Sequence, residues 1–148
     1  MGERGVQVLD RADCLRQLAL GTVGRLAFAT DGFPVVLPVN YRLVDRGMDP
    51  VILIRTSRSS SVADAPLAVA FEVDGIDLVH ETGWSVLVQG ALRRLRQPEA
   101  EQLAERGDPH PWVAGDHDVW LAITPVEITG RRLVDVDAIW SVDVRAYL

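Results

Sequence analysis

One short segment of the chain concentrates side chains that bind anions. Residues 55–61, Arg-Thr-Ser-Arg-Ser-Ser-Ser, carry two guanidinium groups and five hydroxyl groups. Arginine offers parallel charged donors to a phosphate, and serine or threonine adds neutral donors. Ser61 and Asp64 have the spacing of a helix capping box, and a helix N-terminus would add free amides and positive potential. A phosphate site and a solvated polar turn that caps a helix both fit these residues.

Two further segments each allow a structural and a functional interpretation. Pro38 falls inside a predicted strand beside Asn40, the single asparagine of the chain. Proline removes a ladder hydrogen bond, so it marks a sheet edge, a bulge or a strand that meets a ligand. Trp84 opens a strand of alternating character and is followed by Ser85. It is either a core residue or a wall for a planar ligand to which Ser85 could donate a hydrogen bond.

Other reactive side chains predict no site. His110 and the run Asp116–Asp118 lie among prolines and glycine, and their spacing matches no compact metal motif, so no metal is expected. Cys14 is the single cysteine, which excludes an intramolecular disulfide, and it fits a small core position on an apolar helix. The Gly-x-Ser-x-Gly motif of many hydrolases is absent.

Composition excludes several classes of function. The net charge of −6 disfavours a nucleic-acid partner. All 15 basic residues are arginine, which excludes a Schiff-base lysine and the lysine-bearing phosphate loop. No apolar run approaches the ~18–20 residues of a membrane span, and the N-terminus lacks a signal-peptide core. We therefore expect a cytoplasmic protein that consists of one domain over residues 1–148.

Hydrophobic periodicity predicts the elements that must position these residues. A helix begins after Asp10 and ends at Gly21, and Asp31-Gly32 is a hairpin turn signal. A short helix follows Ser61, and another begins at Pro98 and ends at Gly107. The predicted strands are 23–30, 35–44, 51–56, 67–73, 84–95 and 119–129. Because most strand connections are too short for a crossover helix, these six strands predict an antiparallel barrel with peripheral helices.

The ordered set of segments resembles the pyridoxamine 5′-phosphate oxidase-like family of flavin-binding split barrels. The resemblance runs from about Leu9 to Leu133 and leaves a tail over 134–148. No piece is diagnostic alone, but their order is fairly specific. The pieces are 14–18, 24–28, 34–41, 54–56, 70–74, 82–86, 111–112, Trp120 and 125–132.

The resemblance implies a six-stranded antiparallel split barrel that forms a homodimer and holds FMN in the groove between subunits. It places the FMN phosphate at Arg55, Thr56, Ser60 and Ser61, and the isoalloxazine ring against Leu37, Pro38, Val39 and Asn40. Trp84 and Ser85 match the region that contacts the ring or the phosphate. Arg131, Arg132 and Trp140 match the C-terminal region by which the partner subunit completes the site.

One departure bears on the cofactor. Many relatives have lysine where this chain has Ser61, so a positive charge is missing unless Arg58 replaces it.

As a whole, the resemblance implies an FMN-dependent oxidoreductase of a small organic substrate, with no catalytic acid or base identified. The alternatives are a non-catalytic protein that binds a flavin, a deazaflavin or haem, and a degenerate barrel that keeps only its dimer.

Overall fold

The computed structural model describes residues 3–47, 49–58, 68–112 and 115–136. Seven strands and two helices lie in these ranges. The strands are β1 (Arg4–Leu9), β2 (Val23–Thr30), β3 (Phe33–Val44), β4 (Val51–Thr56), β5 (Ala68–Asp77), β6 (Thr82–Arg94) and β7 (Val119–Asp135), and the helices are α1 (Arg11–Leu20) and α2 (Gln97–Ala104). The described part of the chain contains no helix with the length and apolar character needed to cross a membrane.

Helix α1 begins as the sequence predicts, with Asp10 as its N-cap. The Asp10 carboxylate accepts a hydrogen bond of 2.8 Å from the amide of Asp13. Gly21 follows the helix, but its backbone is extended and needs no left-handed conformation (φ −82°). A Cβ at this position would lie 2.2 Å from the Tyr41 hydroxyl. Close approach to Tyr41, rather than helix termination, is therefore what requires glycine here.

Strands β2 and β3 form the hairpin that Asp31-Gly32 predicts. Both turn residues have positive φ, 50° and 81°, as the two-residue turn demands. The register pairs Thr30 with Phe33 at the turn and Val23 with Asn40 at the open end. The register of this hairpin therefore fixes the position of Asn40 opposite Val23, at the first residue of β2.

The antiparallel sheet closes into a barrel, which confirms the predicted fold class. Its strand order is β1-β7-β4-β3-β2-β5-β6, and β6 pairs again with β7. Strands β2 to β7 form the six-stranded split barrel. Strand β1, which the sequence did not predict, adds to its edge by pairing with β7, from Leu9 opposite Gly130 to Arg4 opposite Asp135.

Two apolar layers hold the barrel together. The interior is filled by alternate side chains from the strands and by Cys14 and Leu18 of α1. Outside the barrel, α2 buries Ala100 and Leu103 against a second cluster that includes Leu53 of β4. Strand β4 is thus buried on both faces, as its continuous apolar run predicts.

Other predicted boundaries need correction or fall outside the described residues. Strand β7 runs to Asp135, beyond the predicted 129, so the expected tail begins later than Val134. The last turn of the predicted helix at 98–107 is not helical, since α2 ends at Ala104. The predicted short helix after Ser61 and the tail from 137 onward lie outside the described residues.

Removal of the Tyr41 hydroxyl tests how α1 is held on the barrel. The buried hydroxyl donates a 2.6 Å hydrogen bond to the Leu18 carbonyl, and burial raises the pKa of Tyr41 to about 12. Tyr41→Phe should lower the free energy of unfolding by about 1–2 kcal/mol, because a carbonyl in the last turn of α1 loses its donor. Urea unfolding measures this loss.

The pH dependence gives a second readout for the same variant. The folded-state pKa of Tyr41 lies above the ordinary value of 10. The contribution of the neutral hydroxyl is therefore complete below pH 10 and is lost as pH rises toward 12. The difference in free energy of unfolding between wild type and Tyr41→Phe should shrink over that pH range. A difference that stays constant would contradict the role assigned to the buried hydroxyl.

Candidate functional site

Arg55 stands at the end of β4, where the strand leaves the barrel. Its neighbours Ile52 and Ile54 point into the core, so the alternation of the strand directs Arg55 outward. The Nε atom donates a 2.7 Å hydrogen bond to the carbonyl of His117. The guanidinium carbon lies 4.8 Å from the ring centroid of Trp120, which faces it on β7. Arg55 is therefore held in one orientation by both β7 and the segment before it.

Asn40 emerges beside Arg55 on the neighbouring strand. The β3–β4 ladder ends at the pair Tyr41–Ile54, and Asn40 and Arg55 are the next residues of the two strands. The Asn40 side-chain oxygen accepts a 3.0 Å hydrogen bond from the backbone amide of Trp112. Asn40 and Arg55 thus fasten the backbone at Trp112 to β3 and the backbone at His117 to the end of β4.

These contacts form the wall of a groove of about 470 Å³. The groove is lined by Arg55, His110, Pro111, Trp112, Gly115, Asp116 and His117. Its volume falls within the range of small-ligand sites. Trp112 is 73% exposed, which leaves a large aromatic surface facing solvent beside an arginine.

Two aspartates pair with arginines next to this groove, and of these four residues Arg55 is the one that lines it. Asp118 lies 3.1 Å from Nε of Arg58, and Asp108 lies 3.8 Å from Nη1 of Arg55. Each carboxylate is about half exposed. The arginines that the sequence assigns to a phosphate therefore have carboxylate partners in the structure.

The predicted ring-binding segment of β3 presents two of its four side chains to the outside. Leu37 and Val39 pack against the barrel core, whereas Pro38 is exposed and Asn40 half-buried on the outer face. Pro38 pairs with Arg25 of β2, and the pairing of β3 with β4 begins only at Tyr41. Pro38 thus occupies an edge of the described sheet, where a missing donor costs little.

Trp84 and Ser85 lie at another groove, formed by β5, β6 and β7. Trp84 is half-buried against the core, and its indole covers Gly75, where a Cβ would lie 2.5 Å from the ring nitrogen. Register pairs Trp84 with Arg132 and Ser85 with Arg131. All four residues line a groove of about 350 Å³. The structure therefore brings these four predicted residues together, apart from the groove at Arg55.

A charged cluster lies on the same outer face between the two grooves. Arg25 contacts Glu72 at 3.1 Å and Asp74 at 3.3 Å, and Asp74 pairs with Ser85. Burial, followed by the neighbouring Asp74 carboxyl, raises the pKa of Glu72. Asn40 and Ser85 are three strand spacings apart across this cluster, roughly 14 Å. An elongated ligand could span that distance along the sheet.

The remaining predicted site residues are placed as follows. Thr56 is half-buried and pairs with Val119 of β7. Ser60, Ser61 and Trp140 lie outside the described residues.

In the part of the chain that the structure describes, no group of three or more His, Cys, Asp or Glu side chains is arranged to hold a metal ion.

Sequence reasoning missed the roles of Asp108, Trp112 and His117 at the Arg55 groove. Two of these act through backbone atoms, which no residue-type pattern can reveal. The available signal was the concentration of His, Asp and Trp in a proline-containing loop. The sequence analysis considers this loop only as a metal motif, which its spacing does not match, whereas in the structure the loop forms a wall of the groove.

Substitution of Asn40 tests whether its side chain holds the 108–118 segment. Asn40→Ala should speed hydrogen exchange of the Trp112 amide several-fold, because a net hydrogen bond worth about 1 kcal/mol is lost. Asn40→Asp keeps the acceptor oxygen and should retain the protection. Equal exchange rates in wild type and Asn40→Ala would show that this bond does not hold the segment.

Comparison with known proteins agrees with this architecture. A family model described as pyridoxamine 5′-phosphate oxidase matches residues 10–132. An uncharacterized protein of Mycobacterium tuberculosis is 37% identical over 134 residues, covering 88% of each chain. The structure of an FAD-binding protein from Mycobacterium smegmatis is similar with a TM-score of 0.69, 28% identity and coverage of 86% of this chain and 100% of that one.

A conserved protein of unknown function from Corynebacterium diphtheriae is also similar in structure. Its TM-score is 0.74 at 29% identity, with coverage of 87% of this chain and 98% of that one. Both structural relatives are matched over nearly their full length, so the similarity extends to the whole barrel. The chain belongs to the pyridoxamine 5′-phosphate oxidase-like family.

Proposed function

We propose that this protein binds a flavin nucleotide, with FMN as the first candidate, at the groove beside Arg55 and uses it as an oxidoreductase of a small organic substrate. The observation that carries the proposal is the Arg55 guanidinium, held in the wall of an open groove of about 470 Å³ beside the exposed ring of Trp112. The flavin named for the Mycobacterium smegmatis relative supports this class of cofactor.

The donors at the groove fit a nucleotide phosphate and a planar ring. Arginine binds phosphate through charged hydrogen bonds, and the Asn40 amide can donate as well as accept. The exposed face of Trp112 can stack with an aromatic ring. Arg58 occupies the exposed turn after β4 and can replace part of the charge that serine at position 61 lacks, because its Nε also contacts the Asp118 carboxylate at 3.1 Å.

A bound flavin would supply reversible transfer of a hydride or of single electrons. The protein's part is to bind and orient. Arg55 would hold the phosphate in one place, because Trp120 and the His117 carbonyl already fix its side chain. Among the described residues, β3 pairs with β4 only from Tyr41 onward, so the backbone at Pro38 has no strand beside it on that side and can face the polar rim of a ring. Interactions fixed before binding cost little further ordering.

The same proposal includes a two-fold homodimer. The outer face of the barrel carries small and apolar side chains at Ala27, Ala70, Val36 and Leu87. Val36 is 61% exposed and Leu87 is 38% exposed. Ala27 pairs with both Val36 and Ala70, so these three form one apolar row, while Leu87 stands opposite Glu72. Exposed apolar surface commonly marks an interface. The family resemblance implies that Arg131 and Arg132 of a second copy complete the site.

Substitution of Arg55 tests the phosphate site. Arg55→Ala should weaken FMN binding by about one to two orders of magnitude, because a charged hydrogen bond is worth roughly 1.5–3 kcal/mol. Riboflavin, which lacks the phosphate, should bind wild type and Arg55→Ala alike. Titration by flavin fluorescence measures both ligands. If riboflavin binds wild type as tightly as FMN does, no phosphate site exists at Arg55.

Catalysis separates an oxidoreductase from a carrier. Protein reconstituted with FMN should show the flavin absorption bands. With a reductant and an electron acceptor both supplied, it should transfer electrons from one to the other with turnover, faster than free FMN under the same conditions. Stable flavin bands without turnover would reduce the proposal to a binding protein. A Soret band on the purified protein would instead point to haem.

The dimer makes a separate prediction. Sedimentation should show a dimer at micromolar concentration, with an interface near the ~1,600 Å² of standard complexes. Val36→Asp should dissociate it, because a charge would be buried in an apolar face. Leu20→Asp is the control, since Leu20 is 80% exposed at the end of α1, away from this face. A stable wild-type monomer would refute the dimer.

A further inference from the structure

We propose that Asp108 and Asp118 are specificity-determining residues that weaken the binding of a doubly charged phosphate at the Arg55 groove. They do so by neutralising the two arginines that would receive it. The inference rests on the proposed function, because it concerns the same groove. It adds which form of phosphate the groove selects against.

The geometry places one carboxylate on each arginine. Asp118 is 3.1 Å from Arg58, and Asp108 is 3.8 Å from Arg55. The two arginines and the two aspartates sum to zero charge. Asp116 lines the same groove and adds a further carboxylate. Each carboxylate offsets part of the positive charge that its arginine offers, so the groove holds a phosphate more weakly than unpaired arginines would.

The penalty from these carboxylates depends on the charge of the ligand. A phosphate monoester such as that of FMN carries about −1.5 to −2 at pH 7. Each phosphate within the pyrophosphate of FAD has a single ionisable oxygen and carries about half of that. Because Coulomb energy scales with the product of the charges, a carboxylate repels the monoester about twice as strongly as it repels the one phosphate of FAD in the same place. The second phosphate of FAD lies farther away, where water and salt screen its charge. Riboflavin has no phosphate and should feel almost none of this effect.

The exposure of the two aspartates sets how large a change in FMN affinity their neutralisation should cause. The Asp108 side chain is 50% exposed and the Asp118 side chain 40% exposed, so water and salt screen both. Neutralising either one should strengthen FMN binding by about three- to tenfold at low ionic strength. The same exposure means that asparagine fits either position without burial of a new polar group.

The experiment measures dissociation constants of FMN, FAD and riboflavin by flavin fluorescence for wild type, Asp108→Asn, Asp118→Asn and the double variant. The matched control is Asp31→Asn, which changes the net charge equally. Asp31 is an exposed residue of the turn before β3, and Asn40 lies seven positions into that strand, roughly 24 Å from its start. FMN affinity should rise about three- to tenfold in each groove variant, FAD affinity by a smaller factor, and riboflavin affinity not at all.

The outcomes separate this inference from the proposed function. FMN affinities that stay equal in wild type and groove variants, with flavin still bound, would overturn the inference alone. An equal gain in Asp31→Asn would also overturn it, because net charge rather than local pairing would then set the affinity. Binding of no flavin by any of the proteins would overturn the proposed function and this inference with it.

Discussion

The pairing of β7 with three different strands is the constraint on which the rest of the structure depends. Its first five residues pair with β4, its last six pair with β1, and β6 runs beside nearly all of it. This change of neighbour requires a bend. The register shifts between Gln89 and Gly90, leaving Val126 as an extra residue beside Pro125. A β-bulge bends its strand in this way. Proline, which has no backbone N–H, is tolerated at a bulge because the ladder of hydrogen bonds is already interrupted there.

Glycines at close contacts let this bent sheet pack without gaps. A Cβ on Gly90 would lie 2.3 Å from the carbonyl oxygen of Thr124, directly at the bulge. A Cβ on Gly130 would lie 2.6 Å from the sulfur of Cys14, where α1 meets β7. Burial raises the pKa of the Cys14 thiol, as expected for a core position. Helix α1 can therefore sit against β7 and close one end of the barrel.

At the Arg55 groove, the side chains suited to a ligand also support the protein itself. Arg55 holds the His117 carbonyl and the Trp120 ring, and Asn40 holds the Trp112 amide. These bonds orient the donors before any ligand arrives, which lowers the entropy cost of binding. They also bring Asp108 and Asp118 to the same place. The residues around 108–118 therefore have two opposite effects on phosphate binding. They fix the orientation of Arg55, and their carboxylates reduce the positive charge of the arginines.

The sequence by itself determined the features that depend on near neighbours along the chain. The Asp10 cap of α1 and the Asp31-Gly32 hairpin rest on bonds within a few residues, so residue type alone predicts them. The alternation of β6 and the doubly buried β4 follow from hydrophobic pattern in the same way. The order of several weak motifs was enough to identify the family, because that order reflects the whole barrel.

Only the tertiary structure decided which distant residues meet. Strand β1 has no strong pattern of its own, and its place follows from the edge that β7 offers beyond the bulge. The inward direction of Leu37 and Val39 was set by the register of β3 against the core. The partners of Arg55 lie more than 50 positions away, and two of its contacts involve a carbonyl and a ring face rather than an opposite charge. Such contacts arise from closure of the barrel, and a local pattern of residue types carries no record of them.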